Sequence, residues 1–485
     1  MRKRFEIQYG FGCTPVENIE IPTESRDELP PVLRALQHIY CTAELNKQVF
    51  DLLEQKVTAE VKHKHTGRPG MTLWEILVFG TVRLARDADY DHLHYMVNQD
   101  HLLRTLVGIS DFSGKAKAYS LQTLKDNLHL IDEKTIKEIN TLVVKEGHRL
   151  LKVDEVNVKV DSYVLESTVH FPTDLNLLWD AGYKCLDLVK QIVDDSGQHC
   201  GFRKNRSWRR RLKRAFRKAS KLALGSGRKN TDQVAEAVTA YLKLVEELST
   251  KLKNEKDGLD KASQASQQKK GMRKELLYFE KKLDKHVDLV RRRLIYKETI
   301  PHHEKDFSLF EPWTKWVNKG KRGRLPELGL PMVVATDQHR FILAHEIMED
   351  EMDVDVAVPM VERLLQKGFA VRSASFDKGF WSKPNYSQLK ALIETVVLPK
   401  KGKLTIEESE REHQAGFLAL RKQHSAVESD INCLEQHGLN RCPDKGLLNF
   451  RKYAALGVLS YNLHKLGDVL LAQDRKKQKP FRKAA

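Results

Sequence analysis

The sequence predicts an α/β protein: a mixed sheet with flanking helices, preceded by an all-helical domain and interrupted by a helical insertion. Three observations carry that reading. Val156, Val158 and Val160 alternate with polar residues, the two-residue period of a strand, and lead to Asp161 and a β-branched and aromatic stretch through Phe171. Strand signals return at Met332 to Thr336 and Arg340 to Ile347, then a helical stretch at Val354 to Gly368, then a strand at Val371 to Phe376 ending on Asp377. Between these regions the period is helical, with Val234, Val238, Tyr241, Val245, Leu248 and Leu252 at three- and four-residue steps.

In chain order, residues 1–66 are weakly patterned apart from a helical stretch near Leu33 to Val61, and their role is open. Thr72 followed by Glu75 is a capping box, which satisfies backbone donors at a helix start and predicts a helix through about Arg86. Further short helices are expected at Asp89 to Asn98, Asp100 to Val107, Ser120 to Ile131 and Glu133 to Leu150. Residues 67–150 therefore read as a helical, helix-turn-helix-like DNA-binding domain, with Arg68, Lys115, Lys117, Lys125 and Arg149 around it and Ser120 to Leu130 as its candidate recognition helix. A helical bundle with an ordinary charged surface fits the same residues.

Residues 151–180 and 321–472 read as two parts of one sheet-bearing core, split by a basic helical insertion at 181–320. Within the insertion a second stripe, Leu276, Phe279, Leu283, Val287, Val290 and Leu294, follows a polar linker at 254–274 and is expected to pair with the first as an antiparallel hairpin. Ile406 to His437 reads as one long helix stopped by Gly438, and Arg451 to Leu471 as a last apolar helix before a basic tail at 473–485.

The chain has 485 residues, 41% hydrophobic and 31% charged, enough for two or three domains and too apolar for a disordered or collagen-like protein. Its 83 Lys and Arg against 66 Asp and Glu give a net charge of +17, an imbalance that favours a polyanionic partner, nucleic acid first. No apolar run reaches membrane-spanning length, and no apolar stretch behind the basic start MRKRFEIQYGFG supports secretion. The six cysteines are scattered, without zinc-knuckle spacing, and read as reduced thiols of a cytoplasmic protein. His63, His65, His302 and His303 lack ligand-spaced companions and read as solvated loop residues.

The phosphate-cradling GxxxxGK[ST], the GxSxG elbow and the zinc-binding HExxH are absent, so three acidic residues carry the chemistry: Asp161, Asp377 and Glu428. Two aspartates at strand ends and a helical glutamate can converge at one end of a sheet. Such an oxygen cluster suits hard cations, and two Mg²⁺ ions roughly 4 Å apart can drive in-line attack on a phosphodiester. On the same helix Arg421, His424, Asn432 and Glu435 share the side of Glu428, so Arg421 and His424 are candidates to hold a phosphate, while Asp430 and Glu435 are alternative third ligands. The run 203–221 holds 11 Lys or Arg residues with Trp208 and Phe216 interleaved, and Arg209, Arg210, Arg211, Lys213 and Arg214 are its candidate DNA-backbone contacts. A solvated basic helix, or an RNA or anionic-lipid binder, is the alternative.

Several segments are similar to bacterial insertion-sequence transposases of the DDE superfamily, most of all the ISNCY-like group. They are TGRPGMTLWEIL, VDSYVLESTVHFPTDLNLL around Asp161, FEPWTKWVNKGK, VVATDQHRFILAHEIMEDEMDVDVAVPMV, SFDKGFWS around Asp377 and HSAVESDINCLEQHGLNRCPDKG around Glu428. The resemblance spans roughly Gly67 to Leu471 and includes the Pro172–Asp174 triplet. It implies an RNase H-like core in which Asp161, Asp377 and Glu428 bind two Mg²⁺ ions, with Mn²⁺ as a substitute. Arg421 and His424 stand where relatives carry Tyr and Arg, and Glu435 where they carry Lys. The implied reaction is nicking at the element's ends, then attack of the freed 3'-hydroxyl on target DNA by a homodimer or higher assembly. A metal-dependent nuclease without strand transfer, or a noncatalytic DNA-binding regulator, is the alternative.

Overall fold

The computed structural model describes residues 4, 13–57, 70–109, 117–193, 201–224, 231–318 and 325–482, with side chains through 477. His63, His65, Arg68, Lys115 and Cys200 lie outside the described residues. The chain forms two compact units: one runs to Thr168 and resumes at Val317, and the other spans Val169–Trp316. The inserted unit thus begins earlier and ends earlier than the 181–320 expected from the period of the sequence.

Among the described residues, seven α-helices open the first unit: α1 (Leu29–Cys41), α2 (Ala43–Val57), α3 (Leu73–Ala85), α4 (Tyr90–Gln99), α5 (His101–Leu106), α6 (Leu121–Leu128) and α7 (Glu133–Leu151). The single helix expected near Leu33 to Val61 is two, because Thr42 adopts an extended backbone (φ −89°, ψ 102°) that breaks the ladder. The capping box forms as expected: Glu75 N–H donates to Thr72 Oγ1 at 3.2 Å, and Thr72 N–H to Glu75 Oε2 at 2.7 Å. Asp89, Asp100, Ser120 and Asp132 cap the following four helices, which is why short segments hold helical ends here.

These helices share one apolar core with the sheet, so the boundary expected at residue 150 has no counterpart in the packing. The reason is visible in α3, which is buried along its whole length, and in α7, whose Gly147 lets the Phe341 ring approach so closely that any Cβ would collide with it. Helix α6, the expected recognition helix, buries Leu124, Asn127 and Leu128. Gln122 donates to Asp126 at 2.6 Å on its outer face, and Lys125 lies over the Tyr90 ring, so this helix offers no row of cations.

The second unit contains α8 (Asp174–Val193), α9 (Asn205–Leu224), α10 (Thr231–Asn254), α11 (Lys256–Ser263) and α12 (Gln267–Val290). The expected linker at 254–274 is largely helical. The two stripes do not close on each other as a simple hairpin. Helix α12 packs along α8, where Lys184 pairs with Glu275 at 3.1 Å and Lys269 Nζ donates to the Ile192 carbonyl at 2.9 Å, and also meets α10 through a 2.6 Å bond from Ser249 Oγ to Asp284. Gly182 of α8 makes room for Leu212 of α9 and Leu283 of α12 in one core.

Back in the first unit, the seven-stranded sheet has as its main strands β1 (Val156–Ser167), β2 (Glu327–Thr336), β3 (Ile342–Ile347), β4 (Val371–Phe376) and β5 (Thr395–Val397), in spatial order β3-β2-β1-β4-β5, and a two-residue strand at Arg441–Cys442 pairs in parallel with the end of β1. The pairs β1/β2 and β2/β3 are antiparallel, and β1/β4 and β4/β5 are parallel. Helices α13 (Asp353–Gln366) and α14 (Lys383–Leu392) make the crossovers that parallel pairing requires. The strand signal from Val156 forms one long strand that ends at Ser167.

The long helix expected from Ile406 to His437 is three: α15 (Ile406–His413), α16 (Ala415–His424) and α17 (Ala426–Leu434). Gln414 is extended (ψ 138°) and breaks it, and Ser425 joins α16 to α17 without a side-chain cap. Gly438 (φ 82°) ends the array, in the left-handed conformation the sequence predicts for it. Helix α18 (Leu447–Arg482) is longer than expected and carries the basic tail as helix. It crosses α1 where Gly467 faces the Pro31 carbonyl so closely that no side chain fits. Among the described residues no helix is long and apolar enough to cross a membrane.

Candidate active site

Parallel register builds the site. Strands β1 and β4 pair Val160 with Phe376, so the next residues, Asp161 and Asp377, stand side by side. They differ in setting. Strand β4 stops at Phe376, and Asp377 begins a single 3-10 turn at Lys378–Phe380, exposed at the strand end as expected. Asp161 is interior to β1 rather than at its end, because the antiparallel partner β2 carries the ladder on as far as Glu166.

Two further carboxylates act on Asp161. Glu428 lies exposed on α17, and Asp353 is the first residue of α13, where its Oδ1 accepts from Ser162 Oγ at 2.7 Å. Burial, with the charges of Asp377, Asp353 and Glu428 added to it, pushes the Asp161 carboxyl up to about 6, against the opposing pull of the Ser162 N–H at 2.7 Å. Asp353 was not singled out from the sequence. Its signal was a helix-initial acid just before β4, facing Gly379, whose missing Cβ leaves room for the Asp353 carboxylate.

The alternatives to Glu428 are otherwise engaged. Asp430 is fully buried, accepting from Arg340 Nε at 2.6 Å and facing Lys159 Nζ at 3.5 Å, while Glu435 opens the π-helical turn after α17. His424 joins the group: its Nδ1 lies 3.0 Å from Ser375 Oγ, and burial holds it below the ordinary histidine value despite the neighbouring charges of Asp377 and Glu428. Its Nε2 is buried without a hydrogen-bond partner among the described residues. Arg421 does not join, being exposed and 3.9 Å from Glu412. A cavity of about 290 Å³ lies between the strands and α16, where Val158, Leu420 and Ala426 line it alongside Lys159, Ser375 and Gln423.

Carboxylate oxygens are hard donors, and three such groups acting on a fourth, the buried Asp161, make a set that fits Mg²⁺ or Mn²⁺. The acids are not drawn into a tight triple: among the described residues, the one group of three ligand atoms all within 4.8 Å is Glu28, His437 and His464. Like charges repel, and two ions roughly 4 Å apart do not need every acid around either ion.

In the second unit, α9 buries Leu212 and Ala219 and stacks Phe216 on Trp179 at 5.3 Å, so an apolar stripe interrupts the cationic surface. Arg209 pairs with Asp187 at 2.6 Å, and Arg211 lies 3.4 Å from Glu247 and over the Trp208 ring. Arg210, Lys213 and Arg214 are exposed, with no ion-pair partner among the described residues. The Pro172–Asp174 triplet leads into α8, where Asp174 pairs with Arg293 at 2.8 Å.

The raised Asp161 has a consequence for stability. Its carboxyl binds a proton more tightly folded than unfolded, so the metal-free protein is penalised progressively as pH rises from about 4 through 6. Asp161→Asn is expected to raise the Tm in EDTA at pH 7.5 and to leave it nearly unchanged at pH 4. Differential scanning fluorimetry across that range checks this; a lower Tm at both pH values would contradict it.

Compared with protein-family models, curated proteins and solved structures, the chain matches none.

Proposed function

We propose that the chain is a DNA transposase of the DDE type with an RNase H-like core, cutting at the ends of an insertion sequence and joining the 3'-hydroxyl to target DNA. The strand order β3-β2-β1-β4-β5, in which β2 alone runs antiparallel to β1, supports the core assignment. The observation that carries the chemistry is Asp161, flanked by Asp377 across a parallel pair and charged upon by Glu428 of α17. Mg²⁺ held by Asp161, Asp377 and Glu428 would make a water or 3'-hydroxyl nucleophilic and stabilise the leaving oxygen. Neutral His424, fixed by Ser375, keeps an unpaired Nε2 for a hydrogen bond to the phosphate or nucleophile. Two element ends must meet before joining, so a homodimer or higher assembly on DNA belongs to this reading.

The test is a plasmid carrying the gene's flanking DNA, incubated with full-length protein and Mg²⁺ or Mn²⁺. Nicks mapping to the flanks, followed by joined products, are expected. Unlocalised nicks without joining would replace the reading with a nuclease. Binding without cutting would replace it with a noncatalytic regulator.

Helix α9 is assigned to DNA grip. Replacing Arg210, Lys213 and Arg214 with Gln is expected to make the plot of log affinity against log salt shallower by about 2.7, roughly 0.9 for each lost phosphate contact. Fluorescence anisotropy across a salt series measures it, and an unchanged slope would remove α9 from the interface.

A further inference from the structure

Away from the carboxylates, three segments distant in sequence meet at one point. Glu28 directly precedes α1, His437 sits in the turn that ends α17, and His464 lies on α18. The Glu28 Oε2 is 2.9 Å from His464 Nε2 and 3.8 Å from His437 Nε2, and all three ligand atoms fall within 4.8 Å of one another. Tetrahedral zinc, with ligands at about 2.0–2.1 Å, separates its ligand atoms by roughly 3.3 Å, between those two distances.

The other nitrogen of each imidazole faces an acceptor oxygen. His437 Nδ1 lies 3.3 Å from the Ala85 carbonyl, which can only accept, so that nitrogen carries the proton. In the neutral ring Nε2 is then a lone pair turned toward a carboxylate oxygen, an acceptor facing an acceptor. His464 Nδ1 lies 3.3 Å from Asp468 Oδ2 without a hydrogen bond formed between them, so the Asp468 carboxylate is placed to take up that nitrogen's proton bond once the ring is fixed by an ion. Lys465 Nζ approaches Asp468 at 3.7 Å and lies over the Tyr461 ring, so the nearest side-chain cation is directed to those groups.

We propose that Glu28, His437 and His464 form a second metal site, for a borderline divalent cation of the Zn²⁺ class, separate from the hard-cation carboxylate site. Two imidazoles and one carboxylate are a nitrogen-rich donor set that such ions prefer and Mg²⁺ does not. Three protein ligands leave a fourth tetrahedral position for water, on the side where the Glu28 side chain is half exposed. The ion ties the approach to α1 and the body of α18 to the turn closing α17, and so steadies the helix that bears Glu428.

The experiment uses full-length protein stripped with a chelator and titrated with Zn²⁺ in millimolar Mg²⁺, against a chromogenic zinc indicator, with Tm read in parallel. Wild type is expected to bind one equivalent and to gain Tm. The Asp161→Asn, Asp377→Asn double variant is expected to do the same, which separates this site from the carboxylates. Glu28→Gln and His464→Asn are expected to bind at least ~10-fold more weakly and to lose the zinc-dependent gain in Tm, and Asp468→Ala to weaken binding about 10-fold. Glu28 lies at the surface, so its variant keeps the fold should a histidine variant lose it. Absence of saturable binding by wild type at micromolar Zn²⁺, or equal binding by wild type and Glu28→Gln, overturns the proposal.

Discussion

Asp161→Asn and Asp377→Asn are each expected to lower metal-dependent cutting of flank-bearing DNA by about 10³-fold or more while leaving DNA binding intact. Removing a metal ligand forfeits several kcal/mol of charge stabilisation, and each 1.36 kcal/mol is tenfold in rate. Asn has the shape of Asp, so the strand pair that holds position 161 beside 377 should survive either exchange. Glu428→Gln should fall in the same class. Asp353→Asn should cost less, because one Asp353 oxygen is committed to Ser162 and its part is to add negative charge near Asp161. Quantifying nicked plasmid and filter-retained DNA side by side decides it. Cutting that persists in Asp161→Asn at more than a tenth of the wild-type rate would remove the carboxylates from the chemistry, whatever became of binding.

The second large effect falls on stability. Asp430→Ala is expected to cost about 3–5 kcal/mol, the range for breaking a buried ion pair and leaving one partner uncompensated. Asp430 is fully buried between Arg340 and Lys159, and Lys159 is itself buried on β1, two residues from Asp161. Without the carboxylate, the Lys159 ammonium stays in a place where water cannot reach it. Urea unfolding measures the loss, and the double variant Lys159→Met, Asp430→Leu is expected to recover most of it, since apolar groups of similar volume often replace a buried pair at little cost. A loss under ~1 kcal/mol for Asp430→Ala would mean that α17 is held by its apolar face alone. Cutting should fall in Asp430→Ala as the helix bearing Glu428 loosens, and it should return in the double variant, which no Asp161 exchange can do.

Most element types were legible because local signals agreed with the packing. The Thr72–Glu75 box and Gly438 after α17 act within a few residues, and each formed where the sequence predicts it, while Asp and Ser caps hold the ends of α4 to α7. Breaks were harder to see. Residues 406–437 keep an apolar stripe through Leu420, Val427, Ile431 and Leu434, so nothing in the period reveals the turns at Gln414 and Ser425. The polar stretch at 254–274 misled in the opposite direction, since a solvated helix needs no apolar stripe beyond the few residues it buries, here Leu259 and Ala262.

By itself the sequence determined the helical and strand periods, the caps, the basic surface of α9 and the acids available for chemistry, because these depend on residue type and short spacing. Tertiary structure alone decided which acids meet. The parallel register sets Asp161 beside Asp377, Asp353 arrives from the start of a crossover helix, and Asp430 turns away into an ion pair with Arg340 and Lys159. The same holds for Glu28, His437 and His464, which belong to segments at opposite ends of the chain. Pairing register and helix docking are set by the sum of many distant contacts, so no short window of residues contains them.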